Sequence, residues 1–189
     1  MSNQSQPVNL TICTYNEATD RGQILNIEST CMHRPWRSID FEQSMQDPFN
    51  FTIVAKVGSK VIGYANFDMT DPQVCNGHAG FKHLYLYRIA VLPAYQRNGV
   101  GSLLLDAVKD QLSHQGVSRI RLAVEDQVRG SGKVKACRFF AACGFNSRRV
   151  DVQSLVGNVD EESLCVGFRY TLPGGKIYKN RIAKYFHAN

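Results

Sequence analysis

Gln96-Arg97-Asn98-Gly99-Val100-Gly101 is the stretch of this 189-residue chain that decides its fold. It follows a strand-like apolar run over residues 84–91 and leads into a helix-like run over 102–108. A strand, a glycine-bearing turn and a helix N-terminus direct backbone N–H groups and the positive end of a helix dipole at one point. The two glycines let a phosphate approach the backbone without a Cβ in the way. The sequence therefore predicts a site for a phosphate-bearing ligand.

The composition is typical of a globular chain, with 43% hydrophobic and 20% charged residues. The length suffices for one domain with its own core. No apolar run approaches the ~18 residues that span a bilayer, and residues 1–7 are polar, without a signal-like segment. We therefore expect a cytoplasmic location and no membrane contact.

The six cysteines are scattered, without the close spacing that a zinc site needs. We expect no metal and interpret the cysteines as buried or idle thiols. A redox or nucleophilic role is the alternative.

The formal net charge of +6 suggests an anionic partner. The densest basic cluster is near the C-terminus, at Lys176, Lys179, Arg181 and Lys184. We interpret it as a solvated extension, with contact to cofactor phosphates, RNA or a ribosomal surface as alternatives, and expect no direct nucleic-acid binding. The acidic run at 160–162 either attracts a cationic substrate or solvates a loop.

Periodicity predicts an α/β (α+β) fold: one domain with a mixed sheet of about seven strands, flanked by about four helices. The strands are predicted over 8–14, 51–57, 60–70, 81–91, 118–125, 145–154 and 164–172. The helices are predicted around Ile24 and Ile27, over 39–45, over 100–112, and where Ala136, Phe139, Phe140 and Cys143 recur at i, i+3, i+4 and i+7. The apolar face predicted for the third of these helices consists of Val100, Leu103, Leu104, Ala107, Val108 and Leu112. The predicted organisation is a flexible N-terminus over 1–7, a domain over 8–172 and a basic extension over 173–189.

Two other phosphate-binding designs fit the glycine stretch poorly. A nucleotide P-loop would end in Gly-Lys-Ser/Thr, which does not occur here. A dinucleotide fold would need a third glycine and an acidic residue about 20 positions on, after a second strand. A plain strand-to-helix turn is the remaining alternative.

The pattern Gln-x-x-Gly-x-Gly, after a strand ending Ile89-Ala90-Val91, resembles the acyl-CoA loop of the GCN5-related N-acetyltransferase (GNAT) family. Ala136-x-x-Phe139-Phe140-x-x-x-Gly144-Phe145 is similar to that family's second motif. The predicted order of elements agrees over 8–172. Within the family, Arg34-Pro35-Trp36 before an acidic helix is similar to N-terminal amine acetyltransferases, and most to the bacterial ribosomal-protein alanine acetyltransferases.

The resemblance implies acetyl-CoA as cosubstrate and an acetyltransferase fold whose two central parallel strands splay apart at the acetyl-CoA site. It implies that Trp36 and His83 contact the acceptor. The positions that match the family's acetyl-CoA site are Ile89, Ala90, Val91, Gln96, Arg97, Asn98, Gly99, Val100, Gly101, Ser102 and Phe140.

The family's catalytic pattern is only partly present. The second motif usually offers a tyrosine as proton donor where this chain has Phe140, and an asparagine where it has Lys133. The acid then comes from elsewhere, the thiolate leaves unassisted, or the chain is a silent acetyl-CoA-binding module. Tyr85 is the candidate for ordering water and Glu125 for the base. The alternatives are a packed core aromatic for Tyr85, a solvated strand end for Glu125 and a partly buried histidine for His83.

The acceptor is predicted from the energy needed to obtain a neutral amine. At pH 7, deprotonation costs roughly 4.6 kcal/mol for a lysine and about 1.1 kcal/mol for a peptide α-amine. A site with few acid–base groups therefore favours transfer to a protein or peptide N-terminus, by direct attack in a ternary complex. A small amine, a polyamine or a lysine side chain is the alternative acceptor.

Overall fold

The computed structural model describes residues 9–70, 82–113, 117–125, 131–149 and 165–171. Its strands are β1 (Leu10–Thr14), β2 (Asn50–Val57), β3 (Lys60–Thr70), β4 (Lys82–Val91), β5 (Val117–Glu125), β6 (Asn146–Arg149) and β7 (Cys165–Thr171). Its helices are α1 (Glu17–Cys31), α2 (Ser38–Gln46), α3 (Val100–Ser113) and α4 (Ser131–Ala142), with a 3-10 turn over Pro93–Tyr95.

The predicted mixed α/β fold is confirmed, with element ends displaced by a few residues. The predicted strand over 145–154 is described only to Arg149. The predicted N-terminal segment, the acidic run at 160–162 and the basic extension from 173 lie outside the described residues. Within the described ranges, no helix is long and apolar enough to cross a membrane.

The chain forms two compact units, and both β3 and β4 contribute to each. In the first unit the strand order is β1-β2-β3-β4, and β1 runs antiparallel to β2 with Leu10 opposite Val57. In the second unit the order continues β4-β5-β7-β6. There β4 and β5 are parallel, whereas β7 is antiparallel to both β5 and β6.

The core of the first unit forms on one side of α1. Ile24 and Ile27 are fully buried and pack with Phe41 of α2. The same cluster contains Val54, Val61, Tyr64 and Ala90 from the strands. Burial of each large aliphatic side chain contributes about 1.5–3 kcal/mol, so this cluster fixes α1 and α2 on the sheet.

A buried ion pair joins α1 to β2. Asp20, whose side chain has no solvent exposure, accepts a bond from Lys56 Nζ at 2.6 Å. It also accepts the backbone N–H of Asn16 at 2.9 Å and the hydroxyl of Thr19 at 2.8 Å. Burial by itself would raise the pKa of Asp20, but the bonds from Lys56, Asn16 and Thr19 outweigh it and hold that pKa below its usual range. Asp20 is therefore ionised and fully partnered.

In the second unit, α4 ends in a Schellman-type cap. Gly144 has φ 84°, the left-handed conformation that glycine adopts without strain. Phe145 N–H donates to Phe140 C=O at 3.0 Å, and the two rings lie 5.7 Å apart. The apolar contact and the bond together terminate the helix, as the Gly144-Phe145 pair in the sequence indicates.

Strand β3 approaches the end of β4 very closely at Gly63. A Cβ built on Gly63 would lie 2.9 Å from Ala90 O and 3.1 Å from Val91 Cγ2. Only a residue without a side chain fits between the two backbones there. Gly63 therefore lets β3 support the last residues of β4.

Gly63→Ala should lower the free energy of unfolding by about 1–3 kcal/mol, because the new methyl forces β3 and β4 apart. Gly22→Ala is the matched control. No atom lies within 4 Å of a Cβ at Gly22, so alanine there should raise stability by roughly 0.5–1 kcal/mol through helix propensity. Urea unfolding followed by circular dichroism measures both, and equal effects would contradict the close approach.

Asp20→Asn should lower the free energy of unfolding by about 2 kcal/mol at neutral pH, the scale of a hydrogen bond to a charged group. The pKa of Asp20 is depressed in the folded state. Its contribution is thus complete above the unfolded-state pKa of about 3.9 and is lost as pH falls through the folded value. The unfolding curves of wild type and Asp20→Asn should differ at neutral pH and should converge at acid pH. A gap that persists in strong acid would contradict this origin.

Candidate functional site

The backbone at the end of β4 is hydrogen-bonded to β3 along one edge. Leu92 N–H donates to Ile62 C=O at 2.9 Å, and Ala90 O lies against Gly63. Successive residues of a strand direct their backbone groups to opposite edges. The N–H and C=O groups of Ile89 and Val91 therefore point away from β3, along the edge that the family resemblance assigns to acetyl-CoA.

The pairing of β4 with β5 stops before β4 does. Its register runs from Lys82↔Val117 to Leu86↔Leu122, with one irregularity near its start. Strand β4 continues to Val91 and β5 to Glu125. The splay of the two parallel strands stays what the family resemblance implies.

The glycine loop begins with a short turn that folds back onto the strand. Gln96 Nε2 donates to Val91 O at 2.8 Å, so the side chain of Gln96 holds the loop against the end of β4. Arg97 then has φ 64° and Gly99 has φ 79°. A positive φ is uncommon for a residue with a Cβ, and such strain concentrates at functional sites.

Helix α3 begins directly at this loop. Its first backbone bond runs from Leu103 N–H to Gly99 C=O at 3.0 Å. The N–H groups of Val100 and Gly101 precede that bond, and the helix dipole adds positive potential there. Val100 is 3% exposed, whereas the residues from Gln96 to Gly99 are exposed. The helix start is thus anchored in the core while the loop faces solvent.

The buried face of α3 differs slightly from the predicted one. Leu104 and Val108 are buried as predicted, but Leu103 is 43% exposed and Leu105 is buried instead. A helical face wider than four positions can include either Leu103 or Leu105, so the apolar pattern alone did not show which of the two is buried.

The loop fits a pyrophosphate group. It combines an exposed arginine, a left-handed backbone and N–H groups at the start of a 14-residue helix. Backbone donors of this kind and a guanidinium are the ordinary ligands of phosphate oxygens. The positions predicted for acetyl-CoA from Ile89 to Ser102 lie in one unit of the chain, on β4, the loop and the first turn of α3. Phe140 belongs to the other unit.

Trp36 lies between α1 and α2, in the segment that also contains Arg34 and Pro35. Its ring packs at the edge of the core cluster, 6.2 Å from the ring of Phe41. The guanidinium of Arg88, on β4, lies 4.9 Å from the centre of the Trp36 ring. This cation–π contact joins the predicted acceptor residue to the strand residue that immediately precedes Ile89.

Glu28 holds the backbone of the Trp36 segment, a role that the sequence did not predict. It has no solvent exposure, although it is charged at neutral pH in an ordinary setting. Glu28 Oε2 accepts the backbone N–H of Trp36 at 2.7 Å, and Oε1 accepts the hydroxyl of Tyr64, which is also fully buried. Burial raises the pKa of Glu28, opposed by the bond from Trp36 and the charge of Arg88. The available signal was helical spacing, since Glu28 follows Ile24 by four positions.

The predicted catalytic residues lie in the second unit. Tyr85 is partly buried, sits opposite Arg121 in the β4–β5 ladder and packs its ring 4.8 Å from that of Tyr87. Tyr87 is 46% exposed, and its hydroxyl lies 3.4 Å from Asp68 Oδ2. Tyr85 thus packs against a neighbouring aromatic ring, and its catalytic role stays a prediction.

His83 and Glu125 are described as backbone positions. His83 stands opposite Arg119, and Glu125 ends β5 opposite Cys165 of β7. Their predicted roles, acceptor contact and base, stay predictions.

Phe140 is a packed core residue. It is 5% exposed and contacts the rings of Phe139 and Phe145 at 5.1 and 5.7 Å. Lys133 occupies the first turn of α4. The position where the family usually has a proton-donating tyrosine is therefore filled by an apolar side chain that also builds the helix cap.

Four of the cysteines are free thiols, namely Cys13, Cys31, Cys137 and Cys143. Burial raises the pKa of Cys13 and of Cys31, which disfavours the reactive thiolate. Cys31 Sγ donates to Val91 O at 3.6 Å. In the part of the chain that the structure describes, no three His, Cys, Asp or Glu residues are grouped to hold a metal ion.

Comparisons with solved structures find the same fold in several acetyltransferases. The ribosomal-protein-S18-alanine N-acetyltransferase from Escherichia coli has a TM-score of 0.66 and 20% identity, covering 91% of this chain and 99% of that chain. Ard1 from Thermoplasma volcanium has a TM-score of 0.66 and 19% identity, with 88% and 99% covered. Naa50 from Arabidopsis thaliana, in complex with the bisubstrate analogue CoA-Ac-MVNAL, has a TM-score of 0.63 and 18% identity, with 87% and 99% covered.

No curated protein sequence matches the chain. The sequence profile of the Acetyltransferase (GNAT) family matches residues 21–145. That range contains most of α1, the Trp36 segment, the glycine loop and α4 with its cap. The chain therefore belongs to the GNAT family of acetyltransferases.

Proposed function

We propose that this acetyltransferase transfers the acetyl group of acetyl-CoA to the N-terminal amine of a peptide or protein. The observation that carries acetyl-CoA binding is the loop at the end of β4, where Arg97 and Gly99 are both left-handed ahead of the α3 N-terminus. Support for a peptide acceptor comes from the similar structures. Naa50 was solved with a CoA–peptide bisubstrate analogue, and the NatC complex with a Gag peptide and CoA.

In this proposal the cosubstrate is held by three sets of groups. The N–H groups of Val100 and Gly101 and the guanidinium of Arg97 bind the pyrophosphate. The outward backbone groups of Ile89 and Val91 bind the extended arm. Gln96 keeps the loop in register with the strand through Val91 O.

The reaction is a direct attack. The nitrogen lone pair of a neutral amine forms a bond to the thioester carbonyl carbon, the carbon–sulfur bond breaks, and CoA leaves as the thiolate. The amine proton passes to water or to a base. Tyr85 orders that water, and Glu125 accepts the proton. A thiol pKa of about 8.5 makes the thiolate an adequate leaving group without a protein acid, which suits the apolar Phe140.

The choice of an α-amine follows from the same shortage of acid–base groups. A lysine requires about 3.5 kcal/mol more for deprotonation at pH 7 than a peptide N-terminus. A site that supplies little base catalysis works fastest on the amine that is already partly neutral.

A small amine is the second candidate acceptor. The glucosamine N-acetyltransferase region of a fungal multi-domain enzyme has a TM-score of 0.66 and 22% identity to this chain, covering 77% of this chain and 18% of that chain. This likeness favours including amino sugars in any acceptor screen.

An acceptor screen tests the proposed function directly. Peptides with a free N-terminus should be acetylated with a kcat/KM about tenfold or more above N-terminally blocked lysine peptides and spermidine, because of the amine pKa difference. Glucosamine is screened beside them as the second candidate acceptor. CoA release measures each rate. Higher activity on lysine, spermidine or glucosamine would overturn the proposed acceptor, and CoA binding without turnover on any amine would indicate a silent module.

Tyr85→Phe and Glu125→Gln should each reduce kcat by about 10²-fold or more, the contribution of a positioned proton-transfer group. Acetyl-CoA affinity should stay unchanged in both. Unchanged kcat in both variants would overturn these two assignments.

Gly99→Ala should weaken acetyl-CoA binding by about tenfold, because a Cβ at φ 79° shifts the loop that carries the donors. Gly58→Ala is the matched control, since Gly58 has φ 60° and, like Gly99, no atom within 4 Å of an added Cβ. Both variants carry a left-handed strain of roughly 1–2 kcal/mol. Calorimetric titration with CoA should separate them, and equal affinities would contradict the loop's role.

A further inference from the structure

Helix α1 carries two fully buried carboxylates, Asp20 and Glu28, and the proposed chemistry uses neither. They lie eight positions apart, on the side of the helix that also buries Ile24 and Ile27. Their electrostatic settings are opposite. Burial and partners leave the pKa of Asp20 below its ordinary value, whereas burial raises the pKa of Glu28.

Asp20 is explained by stability alone. It has a cation at 2.6 Å and two further donors within 3 Å. Such a fully bonded pair stabilises the attachment of α1 to β2.

Glu28 is less well explained by stability. Its oxygens accept neutral donors, the Trp36 N–H and the Tyr64 hydroxyl, and its compensating charge is Arg88. A neutral glutamine would keep most of these bonds without the cost of burying a charge. A fully buried carboxyl group that neutral partners could replace is a candidate functional position.

The contacts of Glu28 converge on Trp36. Its Oε2 fixes the backbone of Trp36, its charge attracts Arg88, and the Arg88 guanidinium lies over the Trp36 ring at 4.9 Å. Tyr64, on β3, holds the other carboxylate oxygen. Backbone and ring of Trp36 are thus held by the same carboxylate, directly and through Arg88.

The location of this arrangement connects it with the acceptor. Arg88 directly precedes Ile89, whose outward backbone edge is proposed to hold the arm of acetyl-CoA. The Trp36 ring therefore lies beside the stretch of β4 along which the thioester extends in the proposed function. An acceptor amine must approach that thioester, so a rigid aromatic wall beside it constrains the approach.

We propose that Glu28 is a positioning residue for acceptor binding, which fixes Trp36 through its backbone N–H and through Arg88 as a wall of the acceptor groove. This inference rests on the proposed function. It assigns a role to the Glu28–Arg88–Trp36 triad, in which only Trp36 touches the acceptor.

Trp36 provides a readout that needs no substrate, because it is the single tryptophan of the chain. Glu28→Gln should increase acrylamide quenching of Trp36 fluorescence and lower its anisotropy, since Arg88 loses the attraction of Glu28 and keeps that of Asp40. Asp20→Asn is the matched control on the same helix and should leave both signals unchanged in the folded protein. Unchanged Trp36 signals in Glu28→Gln would overturn the proposal.

The unfolding midpoint and the acceptor KM should also distinguish Glu28→Gln from Asp20→Asn. Glu28→Gln should leave the unfolding midpoint in urea unchanged or higher, yet raise the acceptor KM about fivefold to tenfold with acetyl-CoA affinity unchanged. Asp20→Asn should lower the midpoint and leave the acceptor KM unchanged. If Glu28→Gln lowers the midpoint and leaves KM unchanged, Glu28 is only structural and the proposal fails.

Arg88→Met supplies a second, independent variant. It should raise the acceptor KM and Trp36 quenching as Glu28→Gln does. The double variant should show little further change, because both substitutions remove the same interaction between Glu28 and Arg88. Additive effects would overturn the triad. If wild-type enzyme acetylates no peptide, the proposed function fails, while the fluorescence comparison still decides whether Glu28 holds Trp36.

Discussion

The contact of β3 with the end of β4 at Gly63 is the constraint on which the site depends. It allows Leu92 to bond to Ile62 and directs the backbone groups of Ile89 and Val91 to the other edge. The glycine loop is anchored to the same strand end, because the Gln96 side chain donates a hydrogen bond to Val91 O. A strand that is satisfied on one edge and extended past its partner on the other provides a backbone template for an extended ligand.

The two buried carboxylates of α1 show how one helical face can serve two purposes. Asp20 and Glu28 occupy the same apolar side, and a buried charge is tolerated only where partners compensate it. Around Asp20 the compensation is local and complete. Around Glu28 it depends on Arg88, a strand residue that simultaneously covers Trp36. The carboxyl group with fewer charged partners is therefore the one that connects the helix to the Trp36 segment, which we propose to face the acceptor.

The sequence predicted the elements because each has a local signal: apolar period 3.6 in α3 and α4, alternation in β1, Gly144 at a helix end. It predicted the loop because glycine spacing after a strand has a backbone cause. It did not predict the left-handed Arg97, since no residue type demands that conformation in a non-glycine position. It also missed Glu28, because an acidic residue on a helix is ordinarily solvated, and its burial depends on Tyr64 and Arg88 from distant strands.

The core position of Phe140 has a consequence for catalysis. Phe140 packs against Phe145 in the α4 cap, and its phenyl ring has no ionisable proton to donate to a leaving thiolate. The rate must then come from a favourable leaving group, an amine that is already partly neutral, and accurate orientation of the two reactants. Orientation is the one of these three that the protein controls through structure. In the proposed reaction, the approach of the amine therefore depends on the rigidity of the proposed acceptor wall, whose Trp36 backbone bonds to the buried Glu28.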